Sequence, residues 1–262
     1  MISSAASNVT FENPKEMDYC NNAITIHGHS NKDTYLCLET FSQQEYDQVI
    51  CLDSDMLCIN DLSEIMSDEY SEYPIMGCNK GNEYRKRGVD RDSQPINTLR
   101  QSGSKFNAGF MAVNSFHLKD DLKTYNDLKN IVRVATSGDN PKPFNDQDAI
   151  VQYWLSRPVF ILPDFYNWKM WGAIGGSKEI EEWGRKQDKM FRDNINNIKI
   201  IHYSGKRKPW GNKTKRGDKH NGKYDVCSVG DHTFMKNTLA NKIWHEYWEE
   251  CFGEKFKTDW YN

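Results

Sequence analysis

The sequence predicts an α/β fold in which helices flank a mixed, mostly parallel sheet. Short apolar segments with strand character alternate with longer segments of helical periodicity, and this alternation is typical of such folds. Polar residues cluster where several of the apolar segments end, which is the edge at which open α/β sheets bind ligands. The length of 262 residues favours one domain, with a core at 8–210 and a basic loop and amphipathic helix at 211–262.

The predicted strands are short apolar segments bounded by polar residues. They are 9–11, 46–52, 76–79, 110–114, 159–162 and 198–203. The segment 34–41 fits either a helix or an extended segment. Residues 80–104 are polar and rich in Gly, Arg and Asp, so we interpret them either as a loop over a site or as a surface excursion.

Four helices are predicted from their start signals and their apolar spacing. Asp61 and Glu64 have the spacing of a capping box. Ser115 precedes apolar residues at helical spacing up to Val132, and Asn145 can cap a helix that ends before Pro158. Residues 237–252 form an aromatic-rich amphipathic helix, for which core is the favoured environment and a dimer surface or a membrane surface are the alternatives.

Composition excludes several classes of protein. A net charge of -3 gives no global basic field, so we expect no nucleic-acid partner. Seven cysteines without a Cys-x-x-Cys pair argue against a disulfide framework or a structural zinc site. The absence of a secretory signal and of long apolar runs predicts a cytoplasmic protein. The basic stretch at 206–219 is either a solvated loop or a point of contact with an anionic membrane surface.

The sharpest motif is Asp53-Ser54-Asp55, which directly follows the apolar segment 49–52. Two carboxylates at this spacing repel each other unless a cation or solvent screens them. At the end of a strand they can coordinate Mn²⁺ or Mg²⁺, and such a metal can neutralise charge on a leaving diphosphate. The alternative is a strand end with solvated acidic residues.

A second motif follows the apolar segment 198–201. His202 can supply a nitrogen ligand to a transition metal. Gly205 allows close approach of the backbone to a phosphate, and Lys208 offers a positive charge suited to phosphate. A lone histidine is usually structural, but a histidine followed by Gly, Lys, Pro and Trp in this pattern is less commonly so.

Two further motifs lie in the sequence between the aspartate motif at 53–55 and the motif that begins at His202. Phe106-Asn107-Ala108-Gly109 precedes a predicted strand, and its small residues allow a sugar to lie against the backbone, although the same residues could form an ordinary turn. Asp146 and Gln147 open a predicted helix, where they either face a cleft or, for the acidic residue, favour the helix N-terminus.

In order and spacing, the four motifs resemble glycosyltransferase family 8, which includes glycogenin and the bacterial lipo-oligosaccharide galactosyltransferases. Thr34-Tyr35 and Pro163-Asp164-Phe165-Tyr166-Asn167-Trp168 look like lesser landmarks of the family. The likeness spans roughly residues 8–210. Each motif is weak alone, and together they are specific.

The resemblance implies a GT-A-like fold, a UDP-sugar donor, Mn²⁺ or Mg²⁺, and retention of the anomeric configuration. Asp53, Asp55 and His202 would hold the metal. Ser54, Asn107, Ala108, Gly109, Gly205 and Lys208 would bind the donor, and Asp146 and Gln147 would act at the donor sugar. The implied acceptor is a glycan, a lipid-linked glycan such as lipo-oligosaccharide, or a protein. The donor sugar is expected to be glucose or galactose.

Two departures from the family pattern bear on activity. The sequence is expected to lack the family's N-terminal strand–helix–strand unit, which grips the nucleotide base, so that pocket would be incomplete unless a homo-oligomer, a complementing chain or an unusual local structure fills it. Cys37 stands where the family usually has Arg or Lys, and the loss of that cation weakens donor binding.

Three functional hypotheses follow. The first is an active transferase, and the second is a truncated or degenerate relative that binds a metal, a nucleotide or a partner without turnover. The third covers another metal-dependent hydrolase or a carbohydrate-binding module. Within it, a haloacid-dehalogenase-type phosphatase is disfavoured, because Leu57 stands where that superfamily has Thr or Val.

Overall fold

The structure is a computed structural model, and it describes residues 32–79, 94–96, 106–119, 122–137, 144–170, 178–204, 209 and 238–254. The predicted strand at 9–11, Gly205, Lys208 and most of the stretches 80–104 and 206–219 lie outside these residues. The described strands are β1 (Val49–Leu52), β2 (Met56–Cys58), β3 (Ile75–Asn79), β4 (Gln94–Ile96), β5 (Phe106–Val113), β6 (Val159–Ile161), β7 (Trp168–Lys169) and β8 (Ile200–His202). The described α-helices are α1 (Lys123–Ala135), α2 (Asp146–Trp154), α3 (Lys178–Asn194) and α4 (Leu239–Phe252).

Contacts divide the chain into two compact units. One comprises Asn8–Ser54 and Asp61–Asn167, and the other comprises Met1–Ser7, Asp55–Asn60 and Trp168–Asn262. The first unit contains a five-stranded sheet in the order β1-β5-β3-β6-β4, and the second contains a three-stranded sheet in the order β2-β8-β7. We call them the five-stranded unit and the three-stranded unit.

The described sheets are mixed, as the sequence predicts, but they are not mostly parallel. β5 is antiparallel to both β1 and β3, β4 is antiparallel to β6, and β2 is antiparallel to β8. Only the β3–β6 and β7–β8 pairs of the described strands are parallel. The sequence misleads here because near-continuous apolar strands are typical of sheets covered on both faces, and they carry no direct information on strand direction.

β5 is the longest described strand and lies between β1 and β3 in the five-stranded sheet. It begins at Phe106, four residues earlier than the predicted strand at 110–114, so Asn107, Ala108 and Gly109 lie within the strand and not before it. Its register with β3 shifts between Gly77 and Cys78. This irregularity lets the first residues of β5 pair with the end of β3 while the ring of Phe106 stays fully buried.

The core of the five-stranded unit brings together helices and strands that are distant in the chain. The ambiguous segment 34–41 is helical, within a 3₁₀ helix at Lys32–Ser42. Its apolar face, Tyr35, Leu38 and Phe41, joins the same buried cluster as Trp154 of α2. The rings of Phe41 and Trp154 lie 5.2 Å apart. This packing fixes the N-terminal 3₁₀ helix and α2 within one core.

The predicted start of α2 is confirmed. The side chain of Asn145 accepts a hydrogen bond from the backbone N–H of Asp148 at 2.9 Å, and Asp148 accepts one from the backbone N–H of Asn145 at 3.2 Å. These two bonds form a capping box, so two N–H groups that the helix itself leaves unpaired are satisfied. They hold the first turn of α2, which carries Asp146 and Gln147.

Two other predicted helix starts are wrong. Asp61 does not cap a helix with Glu64: the segment Ser63–Met66 is a short 3₁₀ helix with Leu62 at its N-cap. The carboxylate of Asp61 instead accepts from the N–H of Ser63 at 3.0 Å, which is a local turn that competes with a cap. Ser115 opens a 3₁₀ turn at Ser115–Leu118, and α1 starts only at Lys123, after Leu122 with φ 66°.

In the three-stranded unit, β8 pairs with β2 and β7 while α3 contacts α4. α3 was not predicted; its buried residues Gln187 and Phe191 are a small part of a strongly charged segment. Asp188 of α3 accepts a hydrogen bond from the backbone N–H of Leu239 at 2.8 Å, at the first turn of α4. The predicted amphipathic helix at 237–252 is confirmed, but its aromatic face is only half-buried, and Phe252 is 62% exposed.

None of the described helices has the length and apolar character required to cross a membrane.

Candidate active site

The connection from β1 to β2 carries both aspartates of the predicted metal site, and hydrogen bonds of its backbone hold each of them. The N–H of Asp53 donates to the carbonyl of Gly109 in β5 at 2.9 Å. The carbonyl of Asp55 accepts from the N–H of Tyr203, which follows β8, at 2.9 Å. The two carboxylates are therefore attached to ordered backbone on either side of Ser54, which is exposed.

His202 is the last residue of β8 and is buried, with 5% of its surface exposed. It lies opposite Met56 of β2 and beside Lys169 of β7, and its carbonyl accepts from the N–H of Met170 at 2.8 Å. Its imidazole Nε2 is 3.1 Å from Oδ1 of Asp55. The strand pairing thus places the imidazole beside a carboxylate.

Asp53, Asp55 and His202 each offer one ligand atom, and these atoms all lie within 4.8 Å of one another. Atoms bound to one cation at about 2.0–2.4 Å can be no more than about 4–5 Å apart, so this separation fits a shared ion. Two carboxylate oxygens and an imidazole nitrogen suit Mn²⁺, and the oxygens alone suit Mg²⁺. The three residues can therefore hold a divalent metal ion.

A second polar group lies in the five-stranded unit, where three amide side chains meet. Nδ2 of Asn107 donates to Oε1 of Gln147 at 3.0 Å, and Nδ2 of Asn167 donates to Oδ1 of Asn107 at 2.6 Å. The same Oδ1 accepts from the backbone N–H of Gly109 at 3.2 Å. We call Asn107, Gln147 and Asn167 the amide cluster. It brings two predicted site residues, from β5 and α2, into direct contact.

Asp146 lies beside Gln147 at the first turn of α2, and its environment is unusual for a carboxylate. Burial raises the pKa of Asp146 to about 6, and the nearby charge of Asp53 adds to this increase. Hydrogen bonds from the thiol of Cys37, at 3.1 Å, and from the backbone N–H of Gln147 oppose it. With a pKa of about 6, this carboxyl is therefore present in both its protonated and its ionised form at slightly acidic pH.

Cys37 has its own pKa raised well above the ordinary thiol value. The causes are the hydrogen bond with Cys51, burial, and the negative charge of Asp146. It therefore remains a neutral thiol and contacts Asp146 as a donor without positive charge. Cys37 makes this contact from the position at which the family pattern usually has Arg or Lys.

The remaining predicted site residues differ in what they can offer. Ala108 belongs to the hydrophobic core and is 3% exposed, so its methyl group is not available to a ligand. Gly109 is buried; its carbonyl accepts from the N–H of Asp53, and its N–H donates to Oδ1 of Asn107. Gly205 and Lys208 lie outside the described residues.

Asn167 was missed as a site residue by sequence reasoning. It lies at the end of the 3₁₀ helix Asp164–Asn167, is 2% exposed, and contacts Asn107 across a separation of 60 residues. The available signal in the sequence is its position in the segment 163–168, which looks like a lesser landmark of the family.

The model of glycosyl transferase family 8 matches residues 3–214, so the chain belongs to this family. The match includes Asp53, Asp55, His202 and the whole amide cluster. It confirms the family expected from the order of the motifs, and with it the GT-A-like α/β fold.

Several solved glycosyltransferase structures are similar to this chain. The bifunctional glycosyltransferase WbbM is 19% identical with a TM-score of 0.46, over 84% of this chain and 38% of that one. The galactosyltransferase LgtC is 18% identical with a TM-score of 0.37, over 78% and 65%. GlyE of Streptococcus pneumoniae TIGR4 is 15% identical with a TM-score of 0.43, over 86% and 49%. This chain thus spans 38% to 65% of their lengths. No curated protein matches the chain.

Proposed function

We propose that this chain is a metal-dependent retaining hexosyltransferase, with a single domain at 1–262 whose catalytic core is 8–210. It moves glucose or galactose from a UDP-sugar to a glycan, a lipo-oligosaccharide or a protein. Membership of family 8 supports the reaction class. The observation that carries the proposal is the 3.1 Å contact between the imidazole of His202 and the carboxylate of Asp55, beside Asp53.

In this proposal Asp53, Asp55 and His202 hold Mn²⁺ or Mg²⁺. The bound cation would offset the negative charge of the donor diphosphate and of the nucleoside diphosphate that leaves. Burial of His202 supports this role, since a buried imidazole beside a carboxylate has few conformations open to it and is held ready for a ligand. Gly205 and Lys208 are proposed to contact the diphosphate.

We assign the donor sugar to the region of Asn107, Gly109, Asp146 and Gln147, with Ser54 and the backbone of Ala108 as further contacts. The amide cluster offers directed hydrogen-bond donors to sugar hydroxyls, and Asp146 offers an acceptor when it is ionised. Gln147 would lie near the anomeric carbon. Side chains held in fixed orientation can stabilise charge that develops there without reorganising during the reaction.

A second candidate function is binding without turnover, and one observation favours it. Cys37 gives Asp146 a neutral hydrogen bond where the family usually has Arg or Lys, so the charge of a donor-contacting carboxylate is left without compensation from this position. A chain that had lost transfer activity could retain the metal group unchanged, because Cys37 is not a member of that group.

The two functions are separated by a screen of UDP-sugars with Mn²⁺, in which release of UDP is measured with and without candidate acceptors. Catalysis predicts release that depends on the metal and disappears in Asp55→Ala, but persists in Asp47→Ala, an exposed aspartate outside the group. Calorimetric binding of Mn²⁺ and UDP with no consumption of any donor would support the second function. Hydrolysis of simple phosphate esters without a sugar would overturn both.

The proposed setting is the cytoplasm, with peripheral contact between the basic stretch 206–219 and anionic lipid, and with no nucleic-acid partner. Vesicles that contain anionic lipid test this contact. Binding should weaken as salt is raised, because the attraction is electrostatic. Failure to bind at every salt concentration would contradict the membrane contact without affecting the enzymatic proposal.

A further inference from the structure

We propose that Asn167 is a positioning residue, which fixes the orientation of Gln147 through Asn107. This inference rests on the proposed function, because it concerns how one residue of the donor-sugar region is held. Asn167 was given no role by the sequence motifs. It reaches the site through its hydrogen bond to Asn107.

The orientation of the amide cluster follows from one donor that cannot be reversed. The backbone N–H of Gly109 can only donate, so the atom of Asn107 that faces it, at 3.2 Å, must be the oxygen Oδ1. The other end of the Asn107 amide is then Nδ2, a donor. The atom of Gln147 that it meets at 3.0 Å must therefore be the acceptor Oε1.

Asn167 makes this orientation the stable one. Its Nδ2 lies 2.6 Å from Oδ1 of Asn107. A reversed Asn107 would therefore place its own Nδ2 against Nδ2 of Asn167 and against the backbone N–H of Gly109, so that donors would face donors. Asn167 is 2% exposed, so water cannot readily replace the lost bonds. The N–H of Gly109 and the buried donor of Asn167 together remove the freedom that the Asn107 amide would otherwise have to turn over.

The backbone around Asn167 is itself held in place. The N–H of Tyr166 donates to the carbonyl of Pro163 at 3.1 Å, which closes the 3₁₀ turn. The ring of Tyr166 packs at 5.8 Å from the ring of Phe110, on the same strand as Asn107. The turn and β5 are therefore packed together close to the amide contact, one residue from Asn167 and three residues from Asn107.

The consequence for Gln147 is chemical. Its Oε1 is engaged by Asn107, so Gln147 is left with the two N–H groups of Nε2 to offer to a ligand. Gln147 would then act on the donor sugar as a hydrogen-bond donor and not as an oxygen nucleophile. Asn167 sets this choice from a distance, without contacting the sugar.

The test is Asn167→Asp, which preserves the side-chain shape but replaces the donor Nδ2 by an oxygen. That oxygen faces Oδ1 of Asn107, so the Asn107 amide turns and its bond to Gln147 is lost. We expect kcat for UDP-sugar turnover to fall roughly 10- to 100-fold, the scale of a mispositioned catalytic group. The KM for the donor and the affinity for Mn²⁺ and UDP should stay within about twofold, since Asn167 is not among the residues proposed to bind the metal or the diphosphate.

A double-mutant cycle separates positioning from a general structural effect. In a Gln147→Ala background, Asn167→Asp should cause no further loss of kcat, because the residue on which it acts is gone. The matched control is Asn130→Asp, the same charge change on the exposed face of α1, which should leave kcat unchanged. Equal losses of kcat from Asn167→Asp with and without Gln147 would overturn the inference.

A spectroscopic readout keeps the inference independent of activity. In the wild-type chain the side-chain amide protons of Asn107 should exchange slowly with solvent, and in Asn167→Asp they should exchange faster, while those of Asn130 stay unchanged. Identical protection of Asn107 in both proteins would overturn the inference. If the wild-type chain consumes no UDP-sugar but this difference is present, the proposed function fails and the positioning role of Asn167 stands.

Discussion

Replacing Asp146 with asparagine should increase stability at neutral pH while it removes activity. Burial raises the pKa of this carboxyl to about 6 in the folded chain, against about 3.9 for an unfolded aspartate. A difference of about two pKa units corresponds to roughly 3 kcal/mol. Because the folded chain binds the proton more tightly than the unfolded chain, stability falls as the pH rises from about 4 to about 6.

The neutral amide of asparagine at position 146 avoids this loss of folding stability. Asparagine has nearly the same shape, cannot ionise, and can still accept the hydrogen bond of Cys37 through its oxygen. The bond is weaker than one to a carboxylate, so we expect a net gain of about 1–3 kcal/mol at pH 7.5 rather than the full amount. Below about pH 4 both proteins carry a neutral group, and the gain should vanish.

The assay is urea unfolding of the wild-type chain and the Asp146→Asn variant at pH 4, 6 and 7.5, with a chelator present to keep divalent ions away from Asp53. Asp47→Asn is the matched control, because Asp47 is an exposed aspartate. A stability difference that is the same at all three pH values would refute the reasoning, as would a variant that is less stable at pH 7.5. Release of UDP from a donor should be nearly lost in the variant at every pH.

Two further predictions concern the backbone that supports the site. Gly77→Ala adds a methyl group against the ring of Phe106 and near the carbonyl of Phe110, so overpacking should lower the free energy of unfolding by about 1–3 kcal/mol; an unchanged urea midpoint would show that the ring can move aside. Asn145→Ala removes the bond that the Asn145 side chain accepts in the α2 capping box and should cost about 0.5–2 kcal/mol in the same assay, whereas Ser137→Ala at an exposed loop should cost little. A loss for Asn145→Ala no larger than that for Ser137→Ala would contradict the role assigned to the cap.

The parts of the site that could be predicted are those where a local pattern carries the information. Asp53 follows a short apolar strand and His202 ends one, and the end of a strand is a visible feature of a sequence. Asn145 could be identified as a cap because its partner Asp148 is three residues away. The contact between His202 and Asp55 could be proposed only from the resemblance to the family, since these residues are far apart in the chain.

The features that could not be predicted depend on contacts between distant segments. An apolar segment does not indicate whether its strand is parallel or antiparallel to its neighbours, so the antiparallel pairing of β5 with β1 and β3 was not predicted. α3 is dominated by charged residues, and the few buried ones, such as Phe191, give a weak pattern. Asn167 acquires its role only because folding places it against Asn107.

The metal group is tested most directly by pulsed electron paramagnetic resonance of the chain loaded with Mn²⁺ and UDP, which detects ¹⁴N nuclei bonded to the ion. The account predicts a nitrogen coupling from the imidazole of His202 in the wild-type chain. The coupling should disappear in His202→Asp, which keeps an oxygen ligand at that position, so that Mn²⁺ still binds. A wild-type spectrum without nitrogen coupling, or a coupling that persists in His202→Asp, would contradict the assignment of Asp53, Asp55 and His202 as the metal ligands.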